Sequence, residues 1–451
     1  MLFNAADKAL WRLALPMIFS NITVPLLGLV DTAVIGHLDS PVYLGGVAVG
    51  ATATSFLFML LLFLRMSTTG LTAQAFGAKD PQRLARALVQ PLVLALAAGA
   101  AIVLLRMPLI DLALHIVGGS EAVLEQARRF LELRWLSAPA SLANLVLLGW
   151  LLGVQYARAP VILLVVGNVL NIVLDLWLVM GLHMNVQGAA LATVTAEYVT
   201  FFIGLLMARR VLALRGVSLS MLKNAWRGDI RRLLALNRDI MLRSLLLQLC
   251  FGAVTVFGAR LGADIVAVNA VLMTMLTFTA YALDGFAYAV EAHSGQAYGA
   301  RDDSQLLAVW HAACRQSGMV ALAFALIYGL AGEQIIALLT SLPSLQQLAY
   351  RYLVWQMILP VIGVWCYLLD GMFIGATRGG GDAQQHGGSG GGVCPDAADG
   401  TAARQPRTVA GADGLSRSAR RFSGGYLAAP LAARNLVFVM HLVHLMVKDS
   451  E

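Results

Sequence analysis

The chain has 451 residues, 59% of them hydrophobic and 13% charged, with a mean hydropathy of +0.75. That balance excludes a soluble globular protein of this size and points to an all-α integral membrane protein. The net charge of +7 could suit nucleic acid, but the basic residues gather where membrane proteins place them, so no nucleic-acid partner is expected.

Taken in chain order, apolar runs long enough to cross a hydrocarbon core of about 30 Å begin with 10–35. This run carries Pro16, Asn21, Pro25 and Asp31 and has no small-residue cleavage site, so it reads as a retained helix. Further spans are predicted at 42–66, 88–105, 131–153, 161–180 and 186–207, then, after a basic link at 209–238, at 240–259, 266–288, 314–332 and 353–374. Continuous runs select helices over the short alternating strands of a β-barrel. Arg65, Lys79, Arg83 and Arg86 follow the second span and Arg209 to Arg238 fill the link, while loops 36–41 and 181–185 lack Lys and Arg. The N-terminus and the link are therefore expected in the cytoplasm, with Arg106, Arg128 and Arg129 a minor exception. Cys250, Cys314, Cys366 and Cys394 have no paired or metal-ligand spacing, so neither a disulfide nor a structural metal is expected.

A block is repeated. Gln74-Ala75-Phe76-Gly77-Ala78-Lys79-Asp80 returns 222 positions later as Gln296-Ala297-Tyr298-Gly299-Ala300-Arg301-Asp302, and the same offset carries Gly149 and Gly153 onto Gly371 and Gly375. These glycine pairs, like Gly46 and Gly50, have the small-xxx-small spacing of close helix packing. Six spans, a basic link and a second set in the same orientation predict two parallel lobes about a pseudo-two-fold axis, with a cavity between them. The expected division is an N-lobe at 1–208, a linker at 209–238, a C-lobe at 239–378 and a tail at 379–451. The first copy continues past Tyr156 into two more spans. The second, past Arg378, turns to Gly379-Gly380-Gly381 and scattered Asp, Arg and Pro. Two helices are thus missing from the second copy, and the expectation is a frameshift near codon 378 that leaves an aberrant, disordered tail.

Acids inside the spans are the sharpest chemical signal, since an Asp near a helix centre costs about 2.5–3.5 kcal/mol on insertion scales. Asp31 and Asp175 sit at similar depth. Asn168, Asn171 and Asp175 share a helix face, and Thr193 and Glu197 lie one turn apart on the next span. These side chains can converge on one polar pocket, able either to bind a proton at a desolvated carboxylate or to hold a small cation such as Na+ with oxygen ligands. The plain alternative is that Asp31 and Asp175 touch headgroups or water, and that Glu197 is a structural hydrogen-bond partner. The second lobe offers Tyr281, Asp284, Tyr288 and Glu291 on one span and Asp370 on another, with Glu291 read as a helix-end acid. No enzyme signature is present: there is no phosphate loop, no HExxH and no nucleophile with its base.

Leu13-Ala14-Leu15-Pro16, the run from Pro25 to Leu38 with Asp31-Thr32-Ala33-Val34-Ile35-Gly36, the repeated block and Asn171-Ile172-Val173-Leu174-Asp175 resemble the multidrug and toxic compound extrusion (MATE) family, and within it the DinF branch. The resemblance covers about residues 4–378. It implies a two-lobe bundle, with twelve helices in the family against ten clear spans here, that rocks between inward-open and outward-open states. It also implies export of organic, often cationic or amphipathic toxic compounds in exchange for H+ or Na+, with no cofactor, from a monomer in the lipid bilayer of a bacterial inner membrane. On this resemblance Asp31, Asn171, Asp175 and Thr193 form the coupling and possible Na+ site. Asp370 lies where related branches carry an acid. The rival readings are a lipid-linked saccharide flippase, which would need a cavity rich in Arg and Lys; a receptor or scaffold without transport; and an inactive truncated product.

Overall fold

The computed structural model describes residues 4–228, 230–261, 263–339 and 343–375, and all of the regular structure among them is helical. The first six helices are α1 (Ala5–Gly36), α2 (Pro41–Leu60), α3 (Phe63–Gly77), α4 (Pro81–Leu104), α5 (Arg106–Val117) and α6 (Glu121–Arg134). They are followed by α7 (Ala138–Gly153), α8 (Arg158–Asp175), α9 (Asn185–Leu214) and the short α10 (Leu219–Asn224). The second half supplies α11 (Ile230–Leu261), α12 (Ala263–Gly299), α13 (Asp303–Leu339) and α14 (Pro343–Gly375). The chain divides into two compact units, 1–244 with 263–378 and 245–262 with 379–451. Of the second unit only the last part of α11 is described, and the expected aberrant tail at 379–451 lies outside the described residues.

Seven segments among the described residues are long and apolar enough to cross a membrane: 42–77, 81–104, 121–153, 158–181, 185–214, 303–338 and 343–372. The other three expected spans fall on α1, α11 and α12, helices of 32, 32 and 37 residues, each longer than the roughly 20 residues a bilayer requires. The second span runs past its expected end at 66 because α3 continues α2 after a short break at 61–62. Its polar residues do not stop it, because they bond back to the helix: Thr68 donates to the Leu64 carbonyl at 2.6 Å and Thr69 to that of Arg65 at 2.9 Å. Arg65 is therefore a buried residue of α3, 2% exposed, and not part of the basic loop in which the sequence reading placed it.

The repeated block has a local physical role, the same in both copies. Each copy closes one helix and opens the next. Asp80 N–H donates to the Ala75 carbonyl and Lys79 N–H to that of Phe76; Asp302 donates to Ala297 and Arg301 to Tyr298 in the same pattern, the paired bonds of a Schellman C-cap. The left-handed position that this cap needs is taken by Lys79 (φ 53°) and by Arg301 (φ 56°). The Asp that ends each block then caps the following helix, Asp80 accepting from Arg83 N–H at 3.3 Å and Asp302 from Gln305 N–H at 3.1 Å.

The packing repeats as well. Gly149 lies against the Arg65 carbonyl and Gly153 against Thr72, while Gly371 lies against the Ala287 carbonyl and Gly375 against Ser294, and each pair of partners is again 222 apart. A Cβ at any of these glycines would strike its neighbour, which is why the small residues recur. Gly46 and Gly50 let α2 approach Gln126 and Phe130 of α6 in the same way.

One N-lobe core gathers Leu84 and Leu88 of α4 with Leu147, Trp150 and Leu151 of α7. A second joins Ile35 of α1 to Ile110, Leu131, Trp135 and Val179. In the C-lobe, Leu272 and Met275 pack on Tyr328, Ile336 and Leu353. The first half of α1 departs from the simple division at residue 208. Its Leu10, Leu13 and Met17 pack with Phe286, Val290, Val364 and Leu368 of the C-lobe, and Trp11 meets Phe286 edge-on at 4.9 Å.

Candidate functional site

The C-terminal half of α1 and the end of α8 bring Asp31 and Asp175 together. Their carboxyl groups are near enough to interact electrostatically, although the residues are 144 positions apart. Asp175 is 1% exposed and Asn171, one turn earlier on the same face, is 4% exposed. The α-helix ends at Asp175, and the next six residues, Leu176–Gly181, form a π-helical turn, a wide turn that recurs at functional positions. Thr193 of α9 closes the group. Its hydroxyl accepts from the Asn171 amide at 3.3 Å and donates to the Ala189 carbonyl at 3.2 Å.

The chemistry of this cluster lies in its uncommitted oxygens. Oδ1 of Asp31, both carboxylate oxygens of Asp175 and Oδ1 of Asn171 are buried and receive no N–H or O–H from the described residues. Two carboxylates facing each other repel unless a proton or a cation lies between them. Three oxygen-bearing side chains with a threonine hydroxyl beside them fit a proton or a hard cation such as Na+.

Two residues that the sequence suggested for the pocket have hydrogen-bond partners on other helices. Glu197 is tied to α7 through Asn144, whose amide donates to its carboxylate at 2.9 Å and to its backbone carbonyl at 3.0 Å. Asn168 donates at 2.5 Å to Thr23, so it joins α8 to α1 instead of extending the stripe towards Asp175. The sequence reading missed Arg134, which stands in electrostatic range of both Glu197 and Asp31 with its guanidinium over the Phe58 ring at 5.4 Å. Its signal was available, an arginine inside the predicted span 131–153.

The C-lobe residues form their own neighbourhood. Tyr281 and Asp284 are half-buried on α12, with Tyr367 of α14 close to Asp284, and the Tyr281 carbonyl accepts from Asn21 at 3.3 Å. Asp370 is half-buried near the end of α14. Glu291 is not a helix-end acid. It is 2% exposed and forms an ion pair with Arg65 of α3, Nη1 to Oε2 at 3.2 Å, and the Arg65 guanidinium lies over the Tyr288 ring at 4.3 Å.

Comparison with known proteins agrees with this architecture. The chain is 86% identical over 375 residues to the DNA damage-inducible protein F of Escherichia coli K12, covering 83% of this chain and 82% of that protein. It is 23% identical over 371 residues to the probable multidrug resistance protein NorM of Acinetobacter baylyi, covering 80% and 82%. Among solved structures, a MATE crystal structure in complex with MaD3S superposes with a TM-score of 0.73 at 25% identity, over 84% of each chain. The profile of the MatE family matches residues 16–177 and 240–380, one segment in each lobe. With two lobes of matching internal geometry, a family profile over both and a relative of such high identity, this chain belongs to the MATE family of multi-pass membrane transporters.

Proposed function

We propose that the protein is a secondary active efflux carrier that exports organic, often cationic toxic compounds in exchange for H+ or Na+. The Asp31–Asp175 pair carries this reading. A proton or Na+ between the carboxylates relieves their repulsion, and so does an organic cation. Ion and cargo therefore compete for one negative site. If the lobes reorient readily only when that charge is satisfied, competition is enough to produce exchange by alternating access.

The basic link and the Lys/Arg-free loops 36–41 and 181–185 support a cytoplasmic N-terminus in a bacterial inner membrane, and we take the working unit to be a monomer. The flippase reading would draw on Arg65 and Arg134 inside the bundle, but each stands beside acids, Arg65 with Glu291 and Arg134 near Glu197 and Asp31. For residues 379–451 we retain the frameshift reading, supported by a family match that stops at residue 380. Translating the other two frames of the gene there is expected to give two apolar runs, and their absence would refute it. The competing reading for this chain as it stands is an inactive truncated product.

The test is transport in proteoliposomes, using the full chain and a frame-restored form, with ethidium as cargo and an imposed pH or Na+ gradient. Gradient-driven exchange is expected, and the gradient that drives it names the ion. Asp31→Asn and Asp175→Asn should each lower the gradient-driven rate by at least about tenfold, equivalent to ~1.4 kcal/mol. Variants that exchange as fast as their parent would remove the acid pair from the mechanism.

A further inference from the structure

The two copies of the repeated block meet each other. A Cβ at Gly77 would collide with the Gln296 carbonyl, and a Cβ at Gly299 with the Gln74 carbonyl. The offset of 222 exchanges these two contacts, so α3 and α12 cross here about a local two-fold, backbone against backbone. Polar links flank the crossing: the Gln74 amide donates to the Gly375 carbonyl at 3.1 Å and the Gln155 amide to Gln296 at 2.6 Å. Deeper along the same two helices, Arg65 reaches across to Glu291, with nitrogen to oxygen distances of 3.2 and 3.5 Å and both side chains 2% exposed.

The chemistry of this deep contact is unusual for a permanent seam. An apolar seam gains free energy when closed and loses all of it when opened to water. A buried ion pair behaves differently, because each ion gives up several kcal/mol of hydration on closing and recovers it on opening. Coulomb attraction in the dry interior and stacking on Tyr288 hold the closed form, while rehydration of both ions lowers the cost of the open one. Such a pair brings the two states close in energy, and it fixes which residues meet.

We propose that Arg65 and Glu291 are positioning residues for alternation, forming a reversible charged latch that holds the lobes together on the side bearing the repeated blocks and parts when that side opens. The inference rests on the alternating-access reading, and its test does not require transport. The exposed, symmetry-related Ala78 and Ala300 are changed to Cys in the otherwise Cys-less full chain, spin-labelled and measured by pulsed electron spin resonance in lipid. The parent should show a mainly short distance. Arg65→Met and Glu291→Gln, which each break the pair, should raise the long-distance population severalfold, and the charge swap Arg65→Glu with Glu291→Arg should restore the short one. If the single variants fold poorly, the double variant Arg65→Met with Glu291→Met removes both ions of the pair together. It should fold and stay closed more fully than the parent. Unchanged distances in the single variants, or a double variant that opens as the parent does, would overturn the latch. A latch that responds in a parent without gradient-driven exchange would leave this inference standing and sink the transport reading alone.

Discussion

The two lobes each bury acid, and they satisfy it in opposite ways. In the N-lobe, Asp31 and Asp175 interact with no donor among the described residues on Asp31 Oδ1 or on either oxygen of Asp175. On the C-lobe, Glu291 receives the guanidinium of Arg65 from the other lobe. On the proposed reading the first arrangement is completed by a cation that arrives from solution or with the cargo, beside the fixed charge of Arg134. The second is completed by the position of the opposite lobe. If the proposed exchange holds, the first group answers to the ion and the second to the position of the opposite lobe, the two parts an exchanger has to connect.

The largest expected effect tests that contrast through stability. Arg65→Met leaves the Glu291 carboxylate buried without its cation, which should destabilise the protein by about 3–5 kcal/mol. Asp175→Asn removes one of two repelling charges and should be neutral or stabilising by up to about 1 kcal/mol. Thermal unfolding in detergent at neutral pH reads both. Opposite signs sharpen the distinction, whereas an Asp175→Asn loss as large as that of Arg65→Met would erase it. A smaller effect is expected at the crossing of the repeated blocks. Gly77→Ala and Gly299→Ala each push a methyl group into a backbone carbonyl, at a cost of about 1–3 kcal/mol from overpacking. Because the two contacts are related by the local two-fold, the costs should match, and the double variant should lose less than the sum, since the first methyl already parts the seam. Unequal or additive losses would show that the crossing is not reciprocal.

Much of this was legible in the sequence because it is periodic or chemically rare. The 222-residue offset foretold close helix packing at both Gly149 and Gly371, which lie against the Arg65 and Ala287 carbonyls, since a glycine needed for close approach recurs wherever the packing does. Asp31, Asn171, Asp175 and Thr193 could be grouped because acids and amides are scarce in apolar spans and helical spacing fixes the face on which they lie. What failed was the assignment of partners across helices. Whether Glu197 turns to Asn144 or to Asp175 depends on side-chain direction between α7 and α9, which spacing along one helix does not contain. Arg65 was misread because a basic residue near the end of an apolar run looks like a loop residue, and its partners Glu291, 226 positions away, and Tyr288 let it remain buried. The π-helical turn after Asp175 has no sequence signature in an apolar run.

The smallest prediction concerns the other end of α1, outside the membrane span. Asp7 caps the helix by accepting from Asn4 N–H at 2.7 Å, and both its oxygens take the Arg315 guanidinium of α13 at 2.6 Å. Burial alone would push this carboxyl up, but the Arg315 and Asn4 hydrogen bonds outweigh it and hold it below the usual carboxylate value. A depressed folded-state pKa contributes stability that is present above the unfolded value of about 3.9 and is lost as pH falls through the folded one. Arg315 is 37% exposed, so solvent screening limits the contribution to about 1 kcal/mol. Asp7→Asn should therefore lower the melting temperature at pH 7, and the gap from the parent should close as the pH falls below about 4; a gap that stays constant would show that Asp7 acts by packing alone. This places both kinds of acid on one helix. The N-terminal end of α1 is fastened to the C-lobe by a charge already paired, and its C-terminal half carries Asp31, so a change at Asp31 acts on a helix whose far end is held by the opposite lobe.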